Sequence, residues 1–267
     1  DITNDCSIDG GDFEVMASEW GGCNDLAYRD KKLVYFGWDF KWPHQLGALL
    51  DDLQHLPFDG LAIPTNYAYT FWYTSAPGAG GPLPGDPSGV VADMAGIDNW
   101  GRFTDNFMYM VSGYRIDWFD DAVWEDVLDN ARAVAEIGAA GGCKGIMFDP
   151  ELIWWGETLS PWRYDMQEHT GTYSFEEYEA KLRERGVTFM NAIEEHMPEV
   201  VFLTLFWNSW LQQGPMRTES NWYGLLNAFM CGMLEGANRD SRIIDGDERS
   251  YYYSFEQDYR HGHLMMT

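Results

Sequence analysis

Positive charge is scarce in this chain. Its 267 residues hold 17 lysines and arginines against 43 aspartates and glutamates, a formal net charge of −26 at pH 7. Such a surface repels phosphate backbones and anionic headgroups, so neither nucleic acid nor a membrane surface is an expected partner. Long hydrophobic runs are missing too. No stretch approaches the roughly 18 apolar residues that span a bilayer. The opening "DITNDCSIDG" has neither the basic nor the apolar region of a signal peptide, so a soluble chain is expected, already processed if it is secreted. The four cysteines form no CxxC pair and the six histidines are scattered, which leaves no ligand spacing for a Cys/His metal centre. The chain also lacks a GxSxG elbow, a Walker loop, a GxGxxG fingerprint and a zincin helix. Serine acyl transfer, nucleotide chemistry and nicotinamide binding lose support accordingly.

What is abundant is aromatic surface. Trp, Tyr and Phe together make 16% of the chain, and the hydrophobic pattern puts several tryptophans, including Trp42, Trp100, Trp118, Trp154, Trp155 and Trp162, in loops rather than core. A flat indole outside a core is a platform for the apolar face of a sugar ring, while Asp, Glu and Asn supply acceptors for its hydroxyls.

Residues 1–23 stand apart. "DITNDCSIDGGD" sets Asp1, Thr3, Asp5, Ser7, Asp9 and Asp12 at the six ligand positions of a 12-residue calcium loop. "DFEVMASEW" follows with Phe13, Met16 and Trp20 at helical spacing. The segment resembles one half of a dockerin repeat, the calcium-loaded module that binds cohesins in secreted polysaccharide-degrading systems. Cys6 stands where such loops usually carry glycine, and the second repeat is expected upstream of Asp1. The resemblance implies one structural Ca²⁺, a cohesin-like partner and an extracellular or cell-surface location. Cys6 and Cys23 bracket loop and helix closely enough for a disulfide that would staple this small element. Cys143 and Cys231, inside apolar segments, are expected to be buried free thiols.

After a linker at residues 24–30, residues 31–267 alternate short β-rich runs with longer amphipathic segments, the signature of a parallel α/β architecture. "KLVYFGW", "FDGLAIPT", "NFMYMVSG", "KGIMFDP", "EVVFLTLFW" and "SRIIDGDE" read as strands. "HQLGALLDDLQHL", "DDAVWEDVLDNARAVAEIGAAGG", "SFEEYEAKLRERGVTFMNAIEEHMP" and "NWYGLLNAFMCGMLEGA" read as helices. A Gly/Pro segment, "TSAPGAGGPLPGDPSG", reads as a long functional loop. The fold class expected is α/β, TIM-barrel-like (β/α)8 but incomplete, with six of its eight strand-and-helix units legible and three alternatives open for the rest: truncation, completion by a partner, or an open sheet.

In barrels the active site is built at the C-terminal ends of the strands. Those positions hold Trp38 and Asp39, then Asn66 and Tyr67, Ser112 and Tyr114, Asp149 and Glu151, Trp207 and Asn208, and lastly Asp245, Asp247 and Glu248. Paired carboxyls beside stacking aromatics are what glycosidic bond cleavage requires, one protonated to serve the leaving oxygen and one ionised as nucleophile or base. In "GIMFDPELIWW" the strand delivers Asp149 and Glu151, with Trp154 and Trp155 as a pocket wall. The expectation is Glu151 as general acid, its pKa raised by apolar neighbours, Asp149 orienting it, and Glu248 ahead of Asp245 as nucleophile or base. Trp38, Asp39, Asn66, Tyr67, Trp154, Trp155, Trp207 and Asn208 are the expected substrate contacts.

The stretches "KKLVYFGWDF", "LPFDGLAI", "KGIMFDPE" and "IIDGDE", behind a dockerin-like segment, resemble secreted planctomycete-type barrel glycoside hydrolases. That resemblance implies a carbohydrate substrate and an acid/base on the fourth strand. Such enzymes usually carry the nucleophile on a seventh strand, which has no counterpart here. Two other classes stay open: a non-catalytic carbohydrate-binding or structural extracellular protein, and a barrel hydrolase or lyase whose carboxylates hold Mg²⁺ or Ca²⁺.

Overall fold

The computed structural model describes residues 32–37, 41–67, 85–113, 115–151, 160–207 and 218–266. The expected calcium ligands Asp1, Thr3, Asp5, Ser7, Asp9 and Asp12, the Cys6 and Cys23 pair, and Trp38, Asp39, Tyr114, Trp154, Trp155 and Asn208 lie outside the described residues.

Six short strands, β1 (Val34–Tyr35), β2 (Gly60–Ile63), β3 (Phe107–Val111), β4 (Gly145–Asp149), β5 (Val201–Thr204) and β6 (Arg242–Asp245), pair in chain order. Every pair is parallel. Parallel strands in sequential order need crossovers that all return on one side, so the helices collect on one face and the sheet curls away from them. The result is an α/β fold whose sheet is a half-barrel arc. The helices are α1 (Pro43–Leu53), α2 (Ser88–Ala95), α3 (Asp121–Ala140), α4 (Phe175–Glu194), α5 (Leu226–Gly236) and α6 (Glu256–Met266). No helix among the described residues is long and apolar enough to cross a membrane.

Sequence reading missed two of these helices. The end of the Gly/Pro segment folds as α2, started by Asp86, whose Oδ1 accepts the Ser88 N–H at 2.9 Å. The segment after β6 makes a 3-10 turn (Glu248–Tyr252) and then α6.

Alternation along the strands separates two faces. Met108, Met110, Ile146, Phe148 and Phe202 pack into the large core beneath the helices. Ala62, Phe107, Met147, Tyr109 and Val111 form smaller clusters on the concave side. Register places Asp149 beside Val111, hence on the concave face. It places Asp245 beside Thr204, in line with the helix-facing positions.

Trp118 and Trp162, read from sequence as loop residues, are buried in the core. Their ring centroids lie 5.8 Å apart, and Trp124 and Phe229 complete the group. Chain outside the regular elements is drawn inward because each indole N–H finds an acceptor: Trp118 donates to the Pro161 carbonyl at 3.2 Å and Trp162 to that of Pro150 at 2.9 Å. α4 and α5 close on each other through Gly186 and Gly232, where a Cβ would collide with the facing backbone. Both described cysteines are free; Cys143 is buried, with its thiol pushed up to about 12 by burial, while Cys231 is only half-buried.

Candidate active site

The turn after β4 is held at every residue. Pro150 has no N–H, so the first donor beyond Asp149 is Glu151, whose N–H reaches Asp149 Oδ1 at 2.8 Å. The Ser112 N–H donates to the Asp149 carbonyl at 2.9 Å. The Ser112 hydroxyl lies 3.1 Å from the Pro150 carbonyl and 2.8 Å from that of Glu151. With the Trp162 bond to Pro150 added, the Asp-Pro-Glu backbone has little freedom to move, which is the preorganisation a catalytic carboxyl needs.

Asp149 is 7% exposed. Its Oδ2 accepts the Tyr109 hydroxyl at 3.0 Å. Burial pushes its pKa up to about 6, the charge of Glu151 adds to the rise, and the bonds from the Glu151 N–H and Tyr109 oppose it. Glu151 faces solvent over much of its surface, and its carboxyl is raised by partial burial alone.

Glu248 arrives from the far end of the chain by a strained turn. The Gly246 N–H donates to the Thr204 carbonyl at 2.7 Å, and the Glu248 N–H to that of Leu205 at 3.0 Å. Between them Asp247 takes a left-handed conformation, φ 45°, which costs a non-glycine residue roughly 1–2 kcal/mol. The strain is supported: Asp247 is buried, its Oδ2 accepts the Tyr253 hydroxyl at 3.0 Å, and its N–H reaches Asp245 Oδ1 at 3.1 Å. Leu205 in turn donates its N–H to the Phe148 carbonyl at 2.8 Å. One residue of the β5 end therefore links the backbones of Phe148 and Glu248. Two strand spacings, about 10 Å, separate the β4 and β6 ends.

Electrostatics registers the convergence. Burial, then the charges of Glu151 and Asp149, push Glu248 up to about 7. The Tyr223 hydroxyl is raised by burial and by Glu151, Asp149 and Glu248; Tyr251, though its ring is largely exposed, is raised by desolvation of its hydroxyl first and then by the same three acids. Asp149 and Glu248, with proton affinities near neutral, stand with Glu151, whose pKa is also raised, and with bordering tyrosines at the C-terminal end of the strands, a group that can hold and pass a proton.

Sequence reasoning missed Tyr109, Tyr223 and Tyr251. Tyr109 reads as a strand core residue, and the other two gain meaning only from their neighbours. Of the expected contacts, Asn66 is exposed, Tyr67 is buried with its hydroxyl on the Gly85 carbonyl at 3.0 Å, and the Trp207 indole donates to Asn227 Oδ1 at 3.1 Å. Asp245 is not brought to the cluster. It lies on the opposite register and its carboxylate caps the turn.

A single cation needs its ligands gathered. Among the described residues, Asp117, Glu168 and His169 can each offer one atom within 4.8 Å of the others, whereas Asp149, Glu151 and Glu248 form no such group. His169 Nε2 and Asp117 Oδ2 are hydrogen-bonded to each other at 2.9 Å, which joins the loop after β3 to the one before α4. The chain matches no protein-family model, no curated protein and no solved structure.

Proposed function

We propose that the protein is a glycoside hydrolase with a two-carboxyl mechanism. The observation that carries this is the convergence of Glu151, Asp149 and Glu248, with Glu248 half protonated near neutral pH. Glu248 gives its proton to the glycosidic oxygen as the bond to the anomeric carbon breaks. Glu151, open to solvent, acts in its carboxylate form, attacking that carbon or taking a proton from the attacking water. Asp149 pins the Glu151 backbone through its Oδ1 and, by its charge, keeps the proton on Glu248.

The proposal exchanges the roles expected from sequence. Apolar neighbours of Glu151 were the reason to make it the acid, but burial and two nearby negative charges act together on Glu248, while Glu151 keeps contact with water. The aromatic content supports a carbohydrate substrate, and the −26 charge favours an uncharged one. A secreted or cell-surface location, a structural Ca²⁺ at residues 1–12 and a cohesin-like partner belong to the same proposal through the dockerin resemblance. Calorimetry that finds no calcium binding dependent on Asp5 removes that part.

Reducing-sugar release from a panel of polysaccharides, with and without EDTA, tests the chemistry. Hydrolysis insensitive to EDTA and reduced at least about a thousandfold in Glu151→Gln and Glu248→Gln is expected. Variants within a few fold of wild type on a confirmed substrate overturn the assignment.

A further inference from the structure

Among the described residues, large apolar or aromatic side chains are exposed at six positions. Four of them, Tyr251, Tyr252, Phe255 and Tyr259, fall in one short stretch running from the 3-10 turn into α6. Single exposed hydrophobics are ordinary, whereas four within nine residues of one braced segment point to a contact surface. The two tyrosines of the turn are 72% and 79% exposed.

This group is attached to the candidate site by its own backbone. Glu248 and Tyr251 are three residues apart in one 3-10 turn, and such residues eclipse, so Tyr251 stands about 6 Å along the same face. The segment is also braced. The Tyr253 hydroxyl is held by Asp247, its ring meets Tyr259 edge-on at 5.2 Å, and Asp258 Oδ2 accepts the N–H groups of Ser254 and Phe255 at 3.0 and 2.9 Å.

Charge selects the occupant. Three acids border the turn, and the net charge of −26 repels an anionic polymer or a second copy of the chain. A cationic partner would be drawn to those three acids rather than to the rings, beside which Glu256 pairs with Arg260 and Asp258 Oδ2 accepts the Ser254 and Phe255 N–H groups. Flat rings tipped with hydroxyls suit the apolar faces and hydroxyl edges of uncharged sugars. We infer that Tyr251, Tyr252, Phe255 and Tyr259 form a stacking shelf that carries successive sugar rings of a neutral glycan chain towards Glu248. The ligand class rests on the glycosidase proposal; the shelf implies a polymeric rather than a small substrate.

Affinity electrophoresis of the full chain through native gels containing barley β-glucan, xyloglucan, galactomannan or polygalacturonate tests this. At least one neutral glycan should retard the wild type and Tyr251→Phe. The double variant Tyr251→Ala/Tyr252→Ala should bind it about tenfold more weakly with unchanged circular dichroism. Retardation by polygalacturonate alone, by no neutral glycan, or equally in the double variant overturns the shelf. So does a wild-type dimer in light scattering that becomes monomeric in the double variant, which assigns the face to a second copy. Retardation without hydrolysis of the same glycan leaves the shelf and removes the glycosidase proposal. Hydrolysis with an unchanged KM in the double variant does the reverse.

Discussion

The Tyr109 hydroxyl donates to Asp149 Oδ2 at 3.0 Å, reaching diagonally from β3 to the last residue of β4. Tyr109 is registered with Met147, two residues before Asp149 on the same concave face, so a tyrosine is long enough to make this bond. The bond favours the charged form of a carboxyl that burial drives towards neutrality. Tyr109→Phe should therefore raise the Asp149 pKa above its value of about 6, by about one unit. A carboxyl-carbon NMR titration reads this directly, and an unchanged or lower value contradicts the assignment.

Asp149 also has a stability signature. Its folded pKa lies above its ordinary value, so the folded state binds the proton more tightly than the unfolded chain. Stability from this source is fully present below about pH 4 and is lost as pH rises through about 6. Asp149→Asn removes the penalty while keeping an acceptor for the Glu151 N–H. The variant should match wild type near pH 4 and be more stable at pH 8, by up to about 3 kcal/mol for a shift of about two units. Urea denaturation at both pH values would show a pH-independent difference if the carboxyl were not buried in its charged form.

The pH profile of kcat/KM on a confirmed substrate should fall on its alkaline side near pH 7, as Glu248 loses its proton. Asp149→Asn takes away one of the two charges that raise Glu248, so the alkaline limb should move to lower pH. A limb that stays in place shows that the titrating acid is another group.

Asp247 tests whether the strained turn positions Glu248. Asp247→Ala keeps the left-handed backbone demand and removes the bond from the Tyr253 hydroxyl to Asp247 Oδ2, so a loss of about 1–3 kcal/mol is expected together with reduced kcat. Asp247→Asn, which can still accept that hydroxyl and tolerates positive φ, should recover most of both. If Ala and Asn behave alike in thermal denaturation and in kcat, the carboxylate does not hold the turn.

Most of the elements were legible in the chain. Strand runs in period two, amphipathic helices between them and the order of six units follow from where apolar residues recur, because burial on one face requires that spacing. The position of the Asp-Pro-Glu step at the end of a buried strand was legible too, from the apolar run that leads into Asp149. Helices α2 and α6 were hidden by glycine and proline before the one and by a short, polar, aromatic pattern in the other. Trp118 and Trp162 were misplaced because an indole looks the same in a loop and in a core until its N–H acceptor is known.

The sequence by itself determined the α/β class, the acidity that turns anions away, and the presence of carboxyls at the ends of two strands. Only the tertiary structure decided which of them meet. Register put Asp245 on the helix side and Asp149 on the concave side, and a slip of one residue would have exchanged such faces. The β5 end then brought Glu248 back towards β4, where burial and the charges of residues distant in sequence set its affinity for a proton. Spacing along the chain carries no record of that environment, because a pKa is fixed by what surrounds the carboxyl in space.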